Sequence, residues 1–178
     1  LAIAAFLLCG CASTASNGND QIVKAAIELA EEYRSLGRLE DSIGVYDKAL
    51  ERTYDYRLLY NKALTIANLG DFEQAAALCQ EGHGSFPYIL AFKKAQAKYY
   101  IELERWQDAA SSYIEVLELD PYDTSTRKAL ISLYVTNNEP SKAAEQATIL
   151  WNQGYRTAET VGLMKVSLDP SLESSQED

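Results

Sequence analysis

The feature that most constrains the fold of this chain is a pattern that recurs every 33 to 34 residues. The segments LGRLEDSIGVYDKAL, LGDFEQAAALCQEG and LERWQDAASSYIEVLELDP begin at Leu36, Leu69 and Leu103, and NNEPSKAAEQATILW begins at Asn137. Apolar residues in each segment lie three and four positions apart, which is the spacing of an amphipathic helix. A repeat of this length is one supersecondary unit that buries its apolar face only by stacking against neighbouring units. The sequence therefore predicts an array of helix pairs.

The repeated segments resemble the tetratricopeptide repeat, a 34-residue unit of two antiparallel helices. The matching positions carry small, aromatic or proline residues: Ala30, Ala63, Ala97, Tyr33, Tyr100, Tyr134, Ala75, Ala109, Ala143, Pro87 and Pro121. Several positions depart from the family pattern, among them Ile131 in a small-residue position, Cys79 in an aromatic one, Gly82 in an alanine one, and Tyr54 and Tyr155 in proline positions. The resemblance implies that small residues let paired helices approach closely. It also implies that proline ends the second helix, because proline lacks an N–H and clashes with the preceding turn.

This resemblance implies an all-α fold, a right-handed α-solenoid of helix-turn-helix repeats with about four units and a capping helix. The expected domain spans 21–167, with units at 23–55, 56–89, 90–123 and 124–157 and a capping helix at 157–167. A final helix is expected because the end of a repeat array needs a polar cover. Residues 168–178 form an acidic segment that is expected to be disordered. Asp20 is a candidate N-cap for the first helix, and Gly82-His83-Gly84 is interpreted as a helix stop.

The start of the chain, LAIAAFLLCGC, has the length of the apolar region of a signal peptide and is too short to span a bilayer. Because no positively charged stretch comes first, we expect a few residues to precede Leu1. Leu8-Cys9-Gly10-Cys11 resembles the bacterial lipobox, which implies a signal peptide over 1–10, cleavage before Cys11 and lipid (palmitate) attachment at Cys11. The polar residues 11–20 would then be a flexible tether. An ordinary cleaved signal peptide and a plain N-terminal helix remain open alternatives.

The lipobox places the expected protein in the bacterial cell envelope, lipid-anchored to a membrane, with its domain in the periplasm. No aspartate follows Cys11, and by the same resemblance this slightly favours the outer membrane.

Charge and composition argue against several other classes of function. The net charge of −10 argues against nucleic acid as the main partner, because binding phosphates requires clustered cations. Cys9, Cys11 and Cys79 do not have the spacing of a disulfide framework or a zinc site, and His83 is the single histidine. We predict that Cys79 lies in the core and His83 at the surface. With no catalytic constellation and no phosphate-binding glycine motif, we predict no enzyme activity, no cofactor and no metal.

The first helix of each unit carries the clearest functional signal, because in this family these helices line a concave groove. The twenty positions that would face the groove carry a net charge of +4, and the remainder of the chain carries −14. Such a basic face would attract an anionic ligand. The predicted partner-binding residues are Lys24, Arg34, Arg57, Tyr60, Asn61, Lys94, Lys98 and Lys128. A random scatter of charges, or a groove filled by the acidic tail or by a second protomer, is the alternative interpretation.

One sub-type of the family, the carboxylate clamp of chaperone adaptors, is not supported by the sequence. Asn61 occupies the clamp position of the second unit. Ile27, Glu31, Ala91 and Ala95 stand where the clamp requires cationic or amide side chains. The sequence therefore does not predict recognition of a chaperone tail.

The expected function is that of a membrane-anchored protein–protein interaction adaptor or assembly scaffold in the bacterial cell envelope. Its partner would present an acidic or extended segment to the groove. A ligand-handling component that works with a periplasmic solute-binding protein is the alternative. An apolar-lined hole through the repeats would favour that alternative, and an open charged groove would favour the adaptor.

Overall fold

The computed structural model describes the backbone of residues 4–168 and the side chains of residues 18–165. Every regular element in this part of the chain is an α-helix, which confirms the predicted all-α helical repeat fold. The helices are α1 (Ala4–Ser35), α2 (Leu39–Leu50), α3 (Tyr56–Asn68), α4 (Phe72–Ser85), α5 (Ala91–Glu102), α6 (Trp106–Leu119), α7 (Thr124–Thr136), α8 (Pro140–Asn152) and α9 (Ala158–Leu168). The side chain of Cys11 and the acidic segment after residue 168 lie outside the described residues. Where residues are described, no helix is both long and apolar enough to cross a membrane.

Two compact units divide the chain, one ending at Phe92 and the other beginning at Lys93. In the first unit, α1, α2 and α3 enclose a buried cluster of Val23, Ala26, Ala30, Tyr46, Ala49 and Leu58. In the second unit, α5 to α8 enclose a larger cluster that includes Ala97, Ala109, Tyr113, Leu130, Ala143 and Leu150. Small residues at helix contacts in both clusters allow close approach, as the repeat pattern predicts.

Equivalent turns join the two helices of each repeat. One residue per turn has a positive φ: Gly37 (73°), Gly70 (86°), Glu104 (57°) and Asn138 (54°). In two of the turns an arginine follows this residue: Arg38 lies 4.6 Å from the centre of the Tyr33 ring, and Arg105 lies 4.4 Å from that of Tyr100. Each arginine also donates a 2.7 Å hydrogen bond to an aspartate three residues later. The 33- to 34-residue period is therefore visible in backbone geometry as well as in sequence.

The prediction that Gly82-His83-Gly84 stops a helix is wrong, because α4 continues through these residues to Ser85. Gly82 is buried, and the ring of Phe92 fills the space that a Cβ at residue 82 would occupy. Phe92 is fully buried and also meets the Tyr60 ring edge-on at 5.7 Å. Phe92 therefore fills the space that the absence of a side chain at Gly82 leaves open. The helix ends just before Pro87, in keeping with the restriction that proline places on the residue before it.

Asp20 is not the N-cap of the first helix, because α1 already begins at Ala4. The same helix includes residues 11–20, so the prediction of a flexible tether there is also wrong. The Asp20 carboxylate instead accepts hydrogen bonds from charged partners, 2.8 Å from Lys24 Nζ and 2.8 Å from Arg57 Nη1. The second contact links α1 to α3 across 37 residues of sequence.

Candidate partner-binding site

The three predicted groove cations of the first unit are paired with carboxylates of the same unit. Lys24 pairs with Asp20 at 2.8 Å, and Arg34 pairs with Glu31. Arg57 donates to both Asp55 oxygens, at 3.0 and 2.9 Å, and to Asp20 at 2.8 Å. The hydrogen bonds to Asp55 and Asp20 raise the pKa of Arg57, and those from Arg57 lower the pKa of Asp55. These cations therefore present little unbalanced positive charge to a partner.

Tyr60 and Asn61, on α3, also make contacts within the first unit. The Tyr60 ring packs against Phe92. The Asn61 amide donates a 2.8 Å hydrogen bond to the carbonyl of Arg57, one turn earlier in the same helix. That bond uses one of the two amide hydrogens of Asn61. The other hydrogen and the side-chain oxygen can still form hydrogen bonds with a ligand.

Lys94, in the second unit, pairs with Asp123, the residue that caps the start of α7. The side chain of Asp123 is 9% exposed. It accepts hydrogen bonds from Thr126 N at 3.0 Å, Thr126 Oγ1 at 2.9 Å and Ser125 Oγ at 2.6 Å. Burial alone would raise the pKa of Asp123, but the bonds from Lys94, Ser125 and Thr126 outweigh it and hold that pKa well below its usual range. Lys94 thus belongs to a helix cap.

Lys98 and Lys128 differ from the other predicted cations. Lys98 is exposed on α5 and has no ion pair among the residues whose side chains are described. Lys128 is exposed on α7, with its Nζ 5.5 Å from the centre of the Tyr155 ring. Lys128 also lines a cavity of about 240 Å³ between α7, α8 and α9, with Ile131, Ser132, Leu150, Tyr155, Thr157, Glu159, Thr160 and Leu163. Positive charge in the predicted groove is therefore concentrated at these two residues.

The sequence-based count of groove charge missed the acids that neutralise it. Asp20, Asp55 and Asp123 are not among the twenty mapped positions, yet they contact Lys24, Arg57 and Lys94. A signal was available for two of them, because Asp55 and Asp123 directly precede helices and aspartate is a preferred N-cap. An N-cap acid lies next to the first turn, where the groove residues of each unit begin.

Other potentially reactive groups do not form a site in the described part of the chain. The prediction that Cys79 lies in the core is confirmed, since its side chain is fully buried. Burial raises the pKa of the Cys79 thiol to about 12, so the reactive thiolate is scarce at neutral pH. His83 is half-buried in the last turn of α4. Among the described residues, no three His, Cys, Asp or Glu side chains are grouped closely enough to hold a metal.

Comparison with known proteins agrees with the helical repeat architecture. Residues 27–88 match the family profile of the tetratricopeptide repeat. A tetratricopeptide repeat protein from Parabacteroides merdae is similar in structure, with a TM-score of 0.70 and 15% identity over 88% of this chain. The match covers 64% of that protein's chain, so this chain spans less than two thirds of its length.

Two further structures extend the likeness. A structure of MamA from residue 41 to its end, from Desulfovibrio magneticus RS-1, has a TM-score of 0.62 and 14% identity, with 88% of this chain and 98% of that chain covered. The first tetratricopeptide domain of Spaghetti (RPAP3), bound to the HSP90 peptide SRMEEVD, has a TM-score of 0.57 and 20% identity. That match covers 65% of this chain and 93% of the RPAP3 chain. At these identities the likeness concerns the fold. The profile match and the shared architecture together support the tetratricopeptide repeat resemblance that the sequence motifs indicate.

Proposed function

We propose that this protein is a scaffold that binds a protein partner through Lys98 and Lys128 while a lipid on Cys11 holds it at a membrane of the bacterial cell envelope. The domain would lie in the periplasm, and the outer membrane is slightly favoured. The lipobox-like motif Leu8-Cys9-Gly10-Cys11 supports the anchor. The helical repeat fold supports a scaffold role, since such repeats present extended binding surfaces.

The observation that carries the binding proposal is the contrast between paired and unpaired cations. Lys24, Arg34, Arg57 and Lys94 have carboxylate partners within their own unit. Lys98 and Lys128 have no such partner among the described residues. An acidic segment of a partner would gain most at these two lysines, because their charge is not already compensated. The RPAP3 structure supports peptide binding as a use of this fold, although only Asn61 matches the clamp residues expected for an HSP90 tail.

Affinity capture from envelope extract tests the proposal with two matched variants of the full chain. Lys98→Glu/Lys128→Glu reverses the proposed contacts. The control, called the α2 variant, is Lys48→Glu/Arg52→Glu, which makes the same change in net charge at two exposed residues, one in α2 and one in the turn after it. Lys94 is left intact, because a glutamate there would face Asp123 and destabilise the helix cap. We expect one protein to be captured by the native chain and the α2 variant and lost from the first variant.

Circular dichroism must show that both variants keep native helix content. Equal capture by all three chains would show that Lys98 and Lys128 are not the binding site. Loss of the captured protein from both variants would show that capture depends on the net charge of the chain and not on Lys98 and Lys128.

The alternative of a ligand-handling component is favoured by one observation, the cavity of about 240 Å³ beside Lys128. Its mixed lining of apolar, hydroxyl and charged side chains could hold a small polar molecule. A thermal-shift screen of small organic acids against the native chain and Ser132→Leu tests this function. A stabilising compound that has no effect on Ser132→Leu would favour ligand handling. Absence of any stabilising compound would favour the scaffold.

A further inference from the structure

Arg127, on α7, is a buried cation that forms no ion pair with any carboxylate among the side chains that the structure describes. Only 5% of the residue is exposed. Its Nη1 donates a 2.6 Å hydrogen bond to Gln146 Oε1, and its Nη2 donates a 2.9 Å bond to the Pro121 carbonyl. Its Nε is buried without a hydrogen-bond partner among the described residues. Removing a guanidinium from water is costly unless an anion compensates the charge, and both observed acceptors are neutral.

Arg127 lines a cavity that opens to the surface between α6, α7 and α8. The cavity holds about 180 Å³, and its other lining residues are Ile114, Leu117, Glu118, Leu130, Gln146 and Ile149. Two of these are unusually exposed for large apolar residues, Ile114 at 39% and Ile149 at 38%. The site therefore combines a buried cation and its neutral partner Gln146 with apolar walls that are exposed to solvent. This combination suits a carboxylate carried on a short apolar stem.

A second cavity adjoins the first, and the two share Ile114. It holds about 200 Å³ and is lined by Trp106, Gln107, Ala110, Ser111, Ile114, Leu133, Tyr134, Asn137, Glu139 and Lys142. The charge of Lys142 is matched by Glu139, and five of the ten lining side chains are aromatic or aliphatic: Trp106, Ala110, Ile114, Leu133 and Tyr134. Along α6, the distance from Trp106 to Glu118 is about 18 Å at 1.5 Å per residue. An extended segment of about six residues covers that distance.

We propose that these two cavities form a docking site for a protein segment that inserts an acidic side chain beside Arg127. The carboxylate would replace Gln146 as the acceptor at Nη1, its stem would lie between Ile114 and Ile149, and an apolar residue of the segment would enter the second cavity. Charge-assisted hydrogen bonds to a guanidinium are stronger than bonds to a neutral amide. A partner segment fits better than a free small acid, because the surface continues into a second cavity where Trp106, Leu133 and Tyr134 can contact a further side chain. None of the residues used here is among those proposed to bind the scaffold's partner, so either proposal can fail alone.

The test uses NMR titration of the full chain in detergent micelles with a designed probe. The probe is a capped hexapeptide with tryptophan first, glutamate fifth and isoleucine on both sides of the glutamate. The comparison peptide replaces the glutamate with glutamine. We expect saturable shifts of the Arg127 Nε–H resonance and of the Ile114 and Ile149 methyl resonances. The glutamate peptide is expected to bind about tenfold more tightly, in line with a buried charge pair.

Two substitutions separate binding from folding. Arg127→Gln should abolish the preference for glutamate, but it also removes the bond to Pro121 and could unfold the second unit. Glu118 is exposed at the cavity rim, and its negative charge repels the glutamate of the peptide. Glu118→Gln removes that repulsion, so it should tighten binding of the glutamate peptide about two- to fivefold. Unfolding cannot produce that gain. Glu102→Gln, at an exposed position of α5, is the matched control and should leave affinity unchanged.

Three outcomes would overturn the proposal. Equal binding of the two peptides would show that Arg127 does not select an anion. Shifts confined to residues around Lys98 and Lys128 would assign the peptide to another surface. Glutarate binding as tightly as the glutamate peptide would identify a small-acid site rather than a docking site for a protein segment.

Discussion

Gly82 and Phe92 show how a large residue on one helix can fill the space beside a glycine on another. The family pattern expects an aromatic residue and an alanine where α4 has Cys79 and Gly82. Phe92, from α5, occupies the space beside Gly82 and is fully buried. The aromatic bulk of the repeat is thus retained, although it comes from a different helix.

We predict that Gly82→Ala destabilises the protein, although alanine is the better helix former. In an open helical position this change should add about 0.5–1 kcal/mol to the free energy of unfolding. At residue 82 the new methyl group collides with the Phe92 ring, and overpacking of this kind costs about 1–3 kcal/mol. Gly84→Ala, in the same helix with open space around it, is the control and should be neutral or stabilising. Urea denaturation measures both changes, and equal stability of the two variants would contradict the prediction.

At the scale of elements, the turn between paired helices requires a left-handed residue, and the repeats meet this requirement unequally. Gly37 and Gly70 adopt a positive φ at no steric cost, whereas Glu104 carries a side chain at 57°. For such a residue the conformation costs about 1–2 kcal/mol. Asn138, at 54°, lies between these cases, because asparagine tolerates this region better than most residues.

Glu104→Gly is therefore expected to stabilise the protein by about 0.5–1 kcal/mol, since relief of strain exceeds the added flexibility of the unfolded chain. Asn138→Gly should give a smaller gain. Glu102→Gly, two residues earlier at the last residue of α5, where φ is not positive, should instead cost up to about 1 kcal/mol. Chemical denaturation of the three variants gives their order. If Glu104→Gly lost as much stability as Glu102→Gly, the positive φ of Glu104 would not be a source of strain that glycine relieves.

The cap of α7 predicts a specific dependence of stability on pH. The pKa of Asp123 is depressed in the folded state, so its ionised form stabilises folding fully above its unfolded pKa of about 4. This contribution disappears as the pH falls through the lower folded pKa. We expect Asp123→Asn to lower the free energy of unfolding by about 1–3 kcal/mol at pH 7. The difference between variant and native chain should shrink as the pH falls below 4.

Asp71→Asn provides the matched control for this experiment. Asp71 caps α4 through one 2.9 Å bond from Gln74 N and is exposed. Its replacement should cost less at pH 7, because fewer hydrogen bonds depend on it. Guanidinium denaturation at several pH values between 2 and 7 measures both variants. A pH-independent difference for Asp123→Asn would contradict the assigned role of its charge.

For the whole molecule, local patterns in the sequence predicted the helical repeat fold. Contacts between residues far apart in sequence determined which cations of the candidate site are paired or buried. Helix periodicity and the recurring turns depend on neighbouring residues, and these made the paired helices predictable. The ion pair between Asp20 and Arg57 joins residues 37 positions apart, and a position-by-position count of charge does not detect it. Arg127 was passed over for the same reason, because its burial depends on how α6, α7 and α8 pack around it.

The last prediction concerns how the whole chain is held in the cell. If the lipobox assignment is correct, Cys11 carries the anchor and Cys9 only fills a position that accepts small residues. Each buried lipid CH₂ contributes about 0.8 kcal/mol, so several acyl chains retain a protein that has a net charge of −10 at a membrane surface.

The chain would be expressed in a two-membrane bacterium with a methionine and two lysines ahead of Leu1. It should then incorporate labelled palmitate and sediment with membranes, and Cys11→Ala should lose both properties. Cys9→Ala is the matched control and should keep both. If Cys9→Ala also lost the label, cleavage before Cys11 would be wrong. If Cys11→Ala sedimented with membranes without the label, the apolar leader itself would be the anchor and a lipid on Cys11 would not be needed.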